Sequence, residues 1–260
     1  MTDTSKAILL IAHGSSDLTA DNSCTDLFFA ELPSHFPQYP VYQAYSAPIT
    51  LRKIDRTAAR TPVHTISEAA EQILEDGITK LHVLAVYLNP CMKYSKVLQA
   101  LEPYRPRFES LTVSAPLLNA EADPAALATV LKDIIGKNLS EEANKSCRQV
   151  ILAAHTATPE IAGLWEPVLR QLRSSCPLSV SLLYRNGHPN AEDFLAGSPD
   201  RSPALIIPLM IFGGRHLSKD IAGAENSLRS RLESAGIPVS LSEKGLGEYP
   251  QIRELYYQKI

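Results

Sequence analysis

Short apolar runs alternate along this chain with longer helical patterns. Ala7–Ala12 (AILLIA), Leu81–Leu88 (LHVLAVYL), Leu111–Ala115, Val150–Ala154 (VILAA), Ser179–Tyr184 and Ala204–Phe212 (ALIIPLMIF) are bounded by turn or polar residues. Strands that are apolar on both faces belong inside a parallel sheet with helices packed on each side. Between them, Thr65-Ile66-Ser67-Glu68 reads as a capping box ahead of Ala69, Ala70, Ile73 and Leu74, with Gly77 placed to end the helix. Leu217, Ile221, Ala224, Leu228, Leu232 and Ala235 make a stripe at helical spacing, which predicts one helix stopped by Gly236-Ile237-Pro238. This alternation predicts a doubly wound α/β fold.

The pattern occurs twice. Residues 6–16 read KAILLIAHGSS and residues 148–158 read RQVILAAHTAT, an apolar strand ending in Ala-His each time. Further along, LHVLAVYLNPCMKYSKVL (81–98) matches ALIIPLMIFGGRHLSKDI (204–221), which sets Lys93 opposite His216. The expected architecture is therefore two similar flavodoxin-like lobes facing a central cleft. The first spans 1–121 and the second 122–260, joined through the polar stretch Asn119–Asp123. The segment Lys137–Ser146 reads as a charged surface loop of the second lobe. Open α/β sheets bind ligands outside the carboxyl ends of their strands, where His13, His155, Lys93 and His216 would all sit.

Composition narrows the partners. With 25 Lys plus Arg against 28 Asp plus Glu, the formal charge of −3 argues against nucleic acid as a main partner. No apolar run approaches the length of a membrane span. Asp3 and the brief Ala7–Ala12 run do not make an export signal. Cys24, Cys91, Cys147 and Cys176 are scattered without a CxxC, which fits a reducing cytoplasm. The sequence leaves the oligomeric state open, a homo-oligomer included.

Walker A, GxSxG and HExxH motifs are absent. The two glycines of GLGEYP (245–250) follow the last strand, so nucleotide use has no support. His155 and His216 are the sharpest pair, each beyond a buried-type strand in a turn that opens a helix, with Gly213-Gly214 making room before His216. Imidazole ligates Co²⁺, Fe²⁺, Ni²⁺ and Zn²⁺, and it accepts protons near neutral pH. His13, in Ala-His-Gly-Ser-Ser, has the equivalent place in the first lobe and reads either as a ligand contact or as a packed strand-end residue. His188 lies in the turn Asn186-Gly187-His188-Pro189, while His35, His64 and His82 read as structural. Basic residues gather near the same strand ends: Arg52, Lys93, Arg185 and Arg215 among them. They form either a solvated face or a clamp for a polycarboxylate, for which the Arg fork is suited. Cys91 reads as a turn residue.

Several stretches together resemble the class II tetrapyrrole chelatases, most closely the anaerobic sirohydrochlorin cobaltochelatases. They are Tyr45–Lys53 (YSAPITLRK), Val113–Leu118 (VSAPLL), Ile207-Pro208-Leu209-Met210 leading to Gly214-Arg215-His216, and Ala235–Pro238 followed by Gly245-Leu246-Gly247-Glu248. The resemblance covers nearly the whole chain. It implies two lobes around a macrocycle and insertion of a divalent metal without ATP, using two histidines and a glutamate. The histidines map onto His155 and His216. The glutamate maps onto Asn186, or onto Tyr184 by an ungapped count from His216, and neither is an acid. Lys93 likewise stands where these enzymes tend to carry an acid, and His155 is followed by Thr156 instead of Gly. The Ala12-His13-Gly14-Ser15 segment is closer to the small chelatases of the cobalamin and siroheme pathways, in which that histidine is a metal ligand.

The resemblance thus implies a cytoplasmic chelatase of cobalamin biosynthesis, with Co²⁺ as first choice and Fe²⁺ or Ni²⁺ as alternatives. His155 and His216 are the expected catalytic and metal-binding residues, with Asn186 at the carboxylate position. His13, Arg52, Lys93, Arg185, His188 and Arg215 are the expected contacts to the tetrapyrrole. The alternative is a tetrapyrrole- or metal-binding protein that keeps the fold without turnover, since fold does not fix function.

Overall fold

The computed structural model describes residues 5–13, 23–47, 64–197, 200–214 and 216–260. The chain divides into two compact units, Met1–Asn119 with Ile252–Ile260, and Ala120–Gln251.

In the first unit, β1 (Lys6–Ala12), β2 (Val41–Tyr45), β3 (His64–Thr65), β4 (Lys80–Ala85) and β5 (Ser110–Val113) form one sheet in the order β3-β2-β1-β4-β5. Every pairing is parallel. Ala7 to Ala12 are fully buried, as a central strand covered on both faces must be. Among the described residues before Asn119, the helices are α1 (Ser23–His35), α2 (Ile66–Glu75) and α3 (Met92–Leu101). At the start of α2 the Thr65 hydroxyl accepts from the Glu68 N–H at 3.1 Å, and the Glu68 carboxylate accepts from the Thr65 N–H at 2.7 Å. That capping box satisfies donors the helix leaves open, and such caps are worth about 1 kcal/mol. Ala69, Ala70 and Ile73 then pack into the core with Leu9, Ile11 and Val83.

The second unit repeats the plan. Its sheet holds β6 (Gln149–Thr156), β7 (Ser179–Asn186), β8 (Ala204–Pro208) and β9 (Val239–Leu241) in the order β7-β6-β8-β9, again all parallel. Its helices are α4 (Pro124–Ser140), α5 (Pro159–Ser175), α6 (Ala191–Gly197) and α7 (Leu228–Ser234). The order β2-β1-β4-β5 in the first unit matches β7-β6-β8-β9 in the second, strand for strand and direction for direction. In each, the chain leaves the central strand to one side and then crosses to the other. That reversal opens a crevice at the carboxyl ends of β1 and β4, and likewise of β6 and β8.

Three expectations change. The last helix, α8 (Pro250–Tyr257), does not stay wholly with the second unit. From Ile252 its residues join the first, where buried Arg253 donates to both oxygens of Glu31 on α1, at 2.7 and 2.6 Å. Tyr256 also donates to the Tyr87 carbonyl at 2.8 Å. The stripe from Leu217 to Ala235 is not one helix. A wide turn at His216–Ile221 ends near Gly223, where a side chain would collide with the Lys219 carbonyl oxygen. Ser227 then caps a separate helix, α7. Finally, Lys137–Ser146 is not simply a surface loop. Residues to Ser140 complete α4, and Asn138 is buried with its amide donating to Ile134 O and Tyr249 Oη.

Strands β2, β3 and β9 escape the apolar-run criterion because Val41–Tyr45 is mixed and the others are only a few residues long. Among the described residues, no helix is long and apolar enough to cross a membrane.

Candidate metal centre

The crevice of the second unit lies beyond β6 and β8. β6 carries His155 at its end, flanked by buried Ala154 and exposed Thr156. β8 ends at Pro208, and a loop runs from there to His216. This loop is tied down twice. The Leu209 N–H donates to Ala153 O at 2.7 Å, and the 245–247 segment donates Leu246 N–H to Met210 O and Gly247 N–H to Ile211 O at 2.7 and 2.9 Å. Gly245 sits against that loop so closely that a Cβ there would fall 2.7 Å from Ile211 O and 2.8 Å from Gly213 N. The glycine-rich 245–248 stretch is thus a buttress for the loop that delivers His216.

His216 opens a π-type turn in which the Ala222 N–H reaches back to Leu217 O at 2.9 Å. Such turns recur at functional sites. The turn buries Leu217 and Ile221 in the core and leaves His216 facing outward. Its ring centroid is 4.2 Å from that of His155, with the planes 62° apart. His216 Nδ1 lies 2.6 Å from Asp220 Oδ2, and Asp220 Oδ1 lies 3.1 Å from Arg185 Nη2. His155 Nδ1 is 2.8 Å from Thr156 Oγ1. One ligand atom from each of His155, His216 and Asp220 falls within 4.8 Å of the others. Two imidazoles beside a carboxylate suit a borderline divalent ion. Asp220 thus brings a negative charge to the side of the two histidines.

The cobalt chelatase (CbiK) family profile matches residues 6–260. The chain belongs to that family. Among its relatives, the sirohydrochlorin cobaltochelatase of Salmonella typhimurium is 24% identical over 262 residues, covering 96% of this chain and 93% of the relative. The sirohydrochlorin cobaltochelatase CbiKC of Nitratidesulfovibrio vulgaris is 25% identical over 263 residues, covering 99% and 90%. Among solved structures, SirB from Bacillus subtilis with Fe³⁺ superposes with a TM-score of 0.69 at 15% identity, covering 98% of this chain and 93% of that one. At that identity the likeness is one of fold, and the fold is that of the chelatases.

Family membership directs attention to the remaining expected residues. Asn186 is exposed at the end of β7, in register with Thr156, and its carbonyl accepts from the Ala157 N–H at 2.8 Å. Gly187 follows with φ +116°, and a side chain there would collide with Ala157 Cβ at 2.7 Å, so this turn requires glycine. His188 is drawn away from the histidine pair. Its Nδ1 meets Asp193 Oδ2 at 2.6 Å, an oxygen that also accepts from the Asn190 N–H ahead of α6. Arg185 is half-exposed but already paired with Asp220. Lys93 is exposed in the first turn of α3. Arg52 and Arg215 lie outside the described residues.

His13 occupies the first unit's crevice. Its Nδ1 is 3.1 Å from Ser46 Oγ, which is 2.7 Å from Tyr87 Oη, so residues just past β1, β2 and β4 form one hydroxyl–imidazole chain. Burial pushes the Tyr87 hydroxyl up to about 12, which keeps it a neutral donor. Burial likewise lifts Tyr184, in register with Ala154, to about 12. Sequence reasoning missed Asp220, Ser46 and Tyr87. For Asp220 a signal existed, since His216 and Asp220 are four apart and therefore neighbours on a helical turn.

Proposed function

We propose that this chain inserts a divalent metal, Co²⁺ by first choice, into sirohydrochlorin, in the cytoplasm and without a nucleotide, as a step of cobalamin synthesis. Its family and the activity of the two sirohydrochlorin cobaltochelatases it resembles support that reaction. The observation that carries the site assignment is the convergence of His155, His216 and Asp220 at the carboxyl ends of β6 and β8.

Insertion exchanges two pyrrole protons for one dication. His155 and His216 hold the incoming ion as ligands and, once it passes to the macrocycle, the ring nitrogens that release it are free to take up the two pyrrole protons. Lys93, with Arg52 and Arg215, is assigned to the carboxylates on the macrocycle's periphery, and His13 and His188 to further polar contacts. Holding ion and macrocycle in register replaces a bimolecular encounter, which is the principal catalytic lever available to a chelatase lacking a cofactor.

A second reading, a metal or tetrapyrrole carrier without turnover, draws on the lack of an acid at either position to which the resemblance assigns the family's carboxylate, Asn186 or Tyr184. Anaerobic absorbance of sirohydrochlorin with catalytic protein and Co²⁺, Fe²⁺ or Ni²⁺ separates the two. Multiple turnovers with Co²⁺ fastest support the cobaltochelatase. Binding without a turnover-dependent spectral change supports the carrier.

A further inference from the structure

We propose that Asp220 is a positioning residue of the metal centre and not a third ligand: it fixes the ring orientation and tautomer of His216, and Arg185 holds it in that role. The inference rests on the reading of His216 as a ligand.

Distance decides between the two roles. Two ligand atoms on one tetrahedral ion, each about 2.0–2.1 Å from it, lie roughly 3.3 Å apart. His216 Nδ1 and Asp220 Oδ2 are 2.6 Å apart, too close to share an ion and right for an N–H donated to a carboxylate. The hydrogen then sits on Nδ1, which leaves the Nε2 lone pair for the incoming cation. A carboxylate behind a ligating imidazole also raises its basicity and fixes its rotation.

The other oxygen is engaged as well. Asp220 Oδ1 faces Arg185 Nη2 at 3.1 Å, and the Asp220 side chain is only 16% exposed. To become a ligand, Asp220 would have to leave one of these partners and turn from a packed position on the π-type turn. Arg185 thus stands beside the centre as the carboxylate's counter-ion. It comes from β7 while His216 and Asp220 come from the segment after β8, so the triad joins two strands that do not neighbour each other.

The test uses the full chain with Co²⁺ alone, read by the ligand-field bands of the bound ion and by titration. Asp220→Asn removes the charge while keeping the size. It is expected to weaken Co²⁺ binding about 10–100-fold, yet give the wild-type band positions and intensity at saturation, since the ligands are unchanged. Asp220→Glu, which restores the charge, is expected to recover part of the affinity. Bands altered at saturation in Asp220→Asn would make Asp220 a ligand and overturn the proposal. Unchanged affinity in Asp220→Asn would overturn it too. His216→Ala is the control for the underlying reading. If Co²⁺ binding survives that change intact, the metal centre itself is misassigned, whereas loss in His216→Ala with none in Asp220→Asn defeats only the positioning role.

Discussion

Replacing Gly245 with alanine tests whether the 245–248 stretch supports the site from behind. The added Cβ would lie 2.7 Å from Ile211 O, 2.8 Å from Gly213 N and 3.1 Å from Phe212 C, all backbone atoms of the loop leading to His216. Ordinary contact begins near 3.4 Å, so the overlap is 3.4 − 2.7 = 0.7 Å and no side chain can swing away to relieve it. The loop must shift by about that distance. Overpacking of this kind costs about 1–3 kcal/mol. A displacement approaching 1 Å at a reacting centre costs up to about 10²-fold in rate. Gly136→Ala is the control, because Gly136 lies inside α4 with nothing within 4 Å of the new atom. It should stabilise by about 0.5–1 kcal/mol and leave insertion alone. Urea unfolding and anaerobic insertion rates on both variants give the comparison. Wild-type stability and turnover in Gly245→Ala would refute the buttress.

Three further outcomes are expected. His13→Ala should weaken sirohydrochlorin binding more than it lowers the melting temperature, because His13 ends the Ser46–Tyr87 chain at the crevice of the first unit; a destabilised variant with unchanged affinity would return His13 to a packing role. Asn186→Glu should tighten Co²⁺ binding by calorimetry, since position 186 pairs with Thr156 directly after His155, and no change or a weakening would remove 186 from the centre. His82 is held near a pKa of about 4 by burial first and by Lys6 second, below the ordinary 6.5. The unfolded chain therefore takes up this proton first, and stability falls as pH drops from about 6.5 towards 4, by about 2 kcal/mol after allowing for partial exposure. His82→Leu should flatten that interval in unfolding experiments run across it, and an unchanged slope would assign it to other groups.

The sheets were legible in the sequence because burial on both faces leaves an apolar signature, as in Ala7–Ala12 and Val150–Ala154. The capping box at Thr65 was equally plain, its two hydrogen bonds being local. What escaped depends on distant partners. The stripe from Leu217 to Ala235 has helical spacing, yet the close approach of Gly223 to Lys219 and the Ser227 cap break it in two. Arg253 gave no sign that it would pair with Glu31, more than two hundred residues away.

The histidines announced themselves through repeated strand ends, and the resemblance put their carboxylate partner at Asn186 or Tyr184, neither an acid. The carboxylate that lies beside His216 is Asp220, one turn further on; the four-residue spacing pointed to it, but that Arg185 and His216 share it is visible only in the structure. Hydroxyl partners such as Ser46 and Tyr87 carry no motif at all, since only the parallel order of β1, β2 and β4 brings them to His13.

The central claim is that His155 and His216 together receive the metal. Its most direct test is anaerobic Co²⁺ insertion into sirohydrochlorin by His155→Ala and His216→Ala, with circular dichroism to verify that each variant is folded. The account predicts that either change abolishes insertion in a folded protein. Near wild-type turnover in both would contradict it.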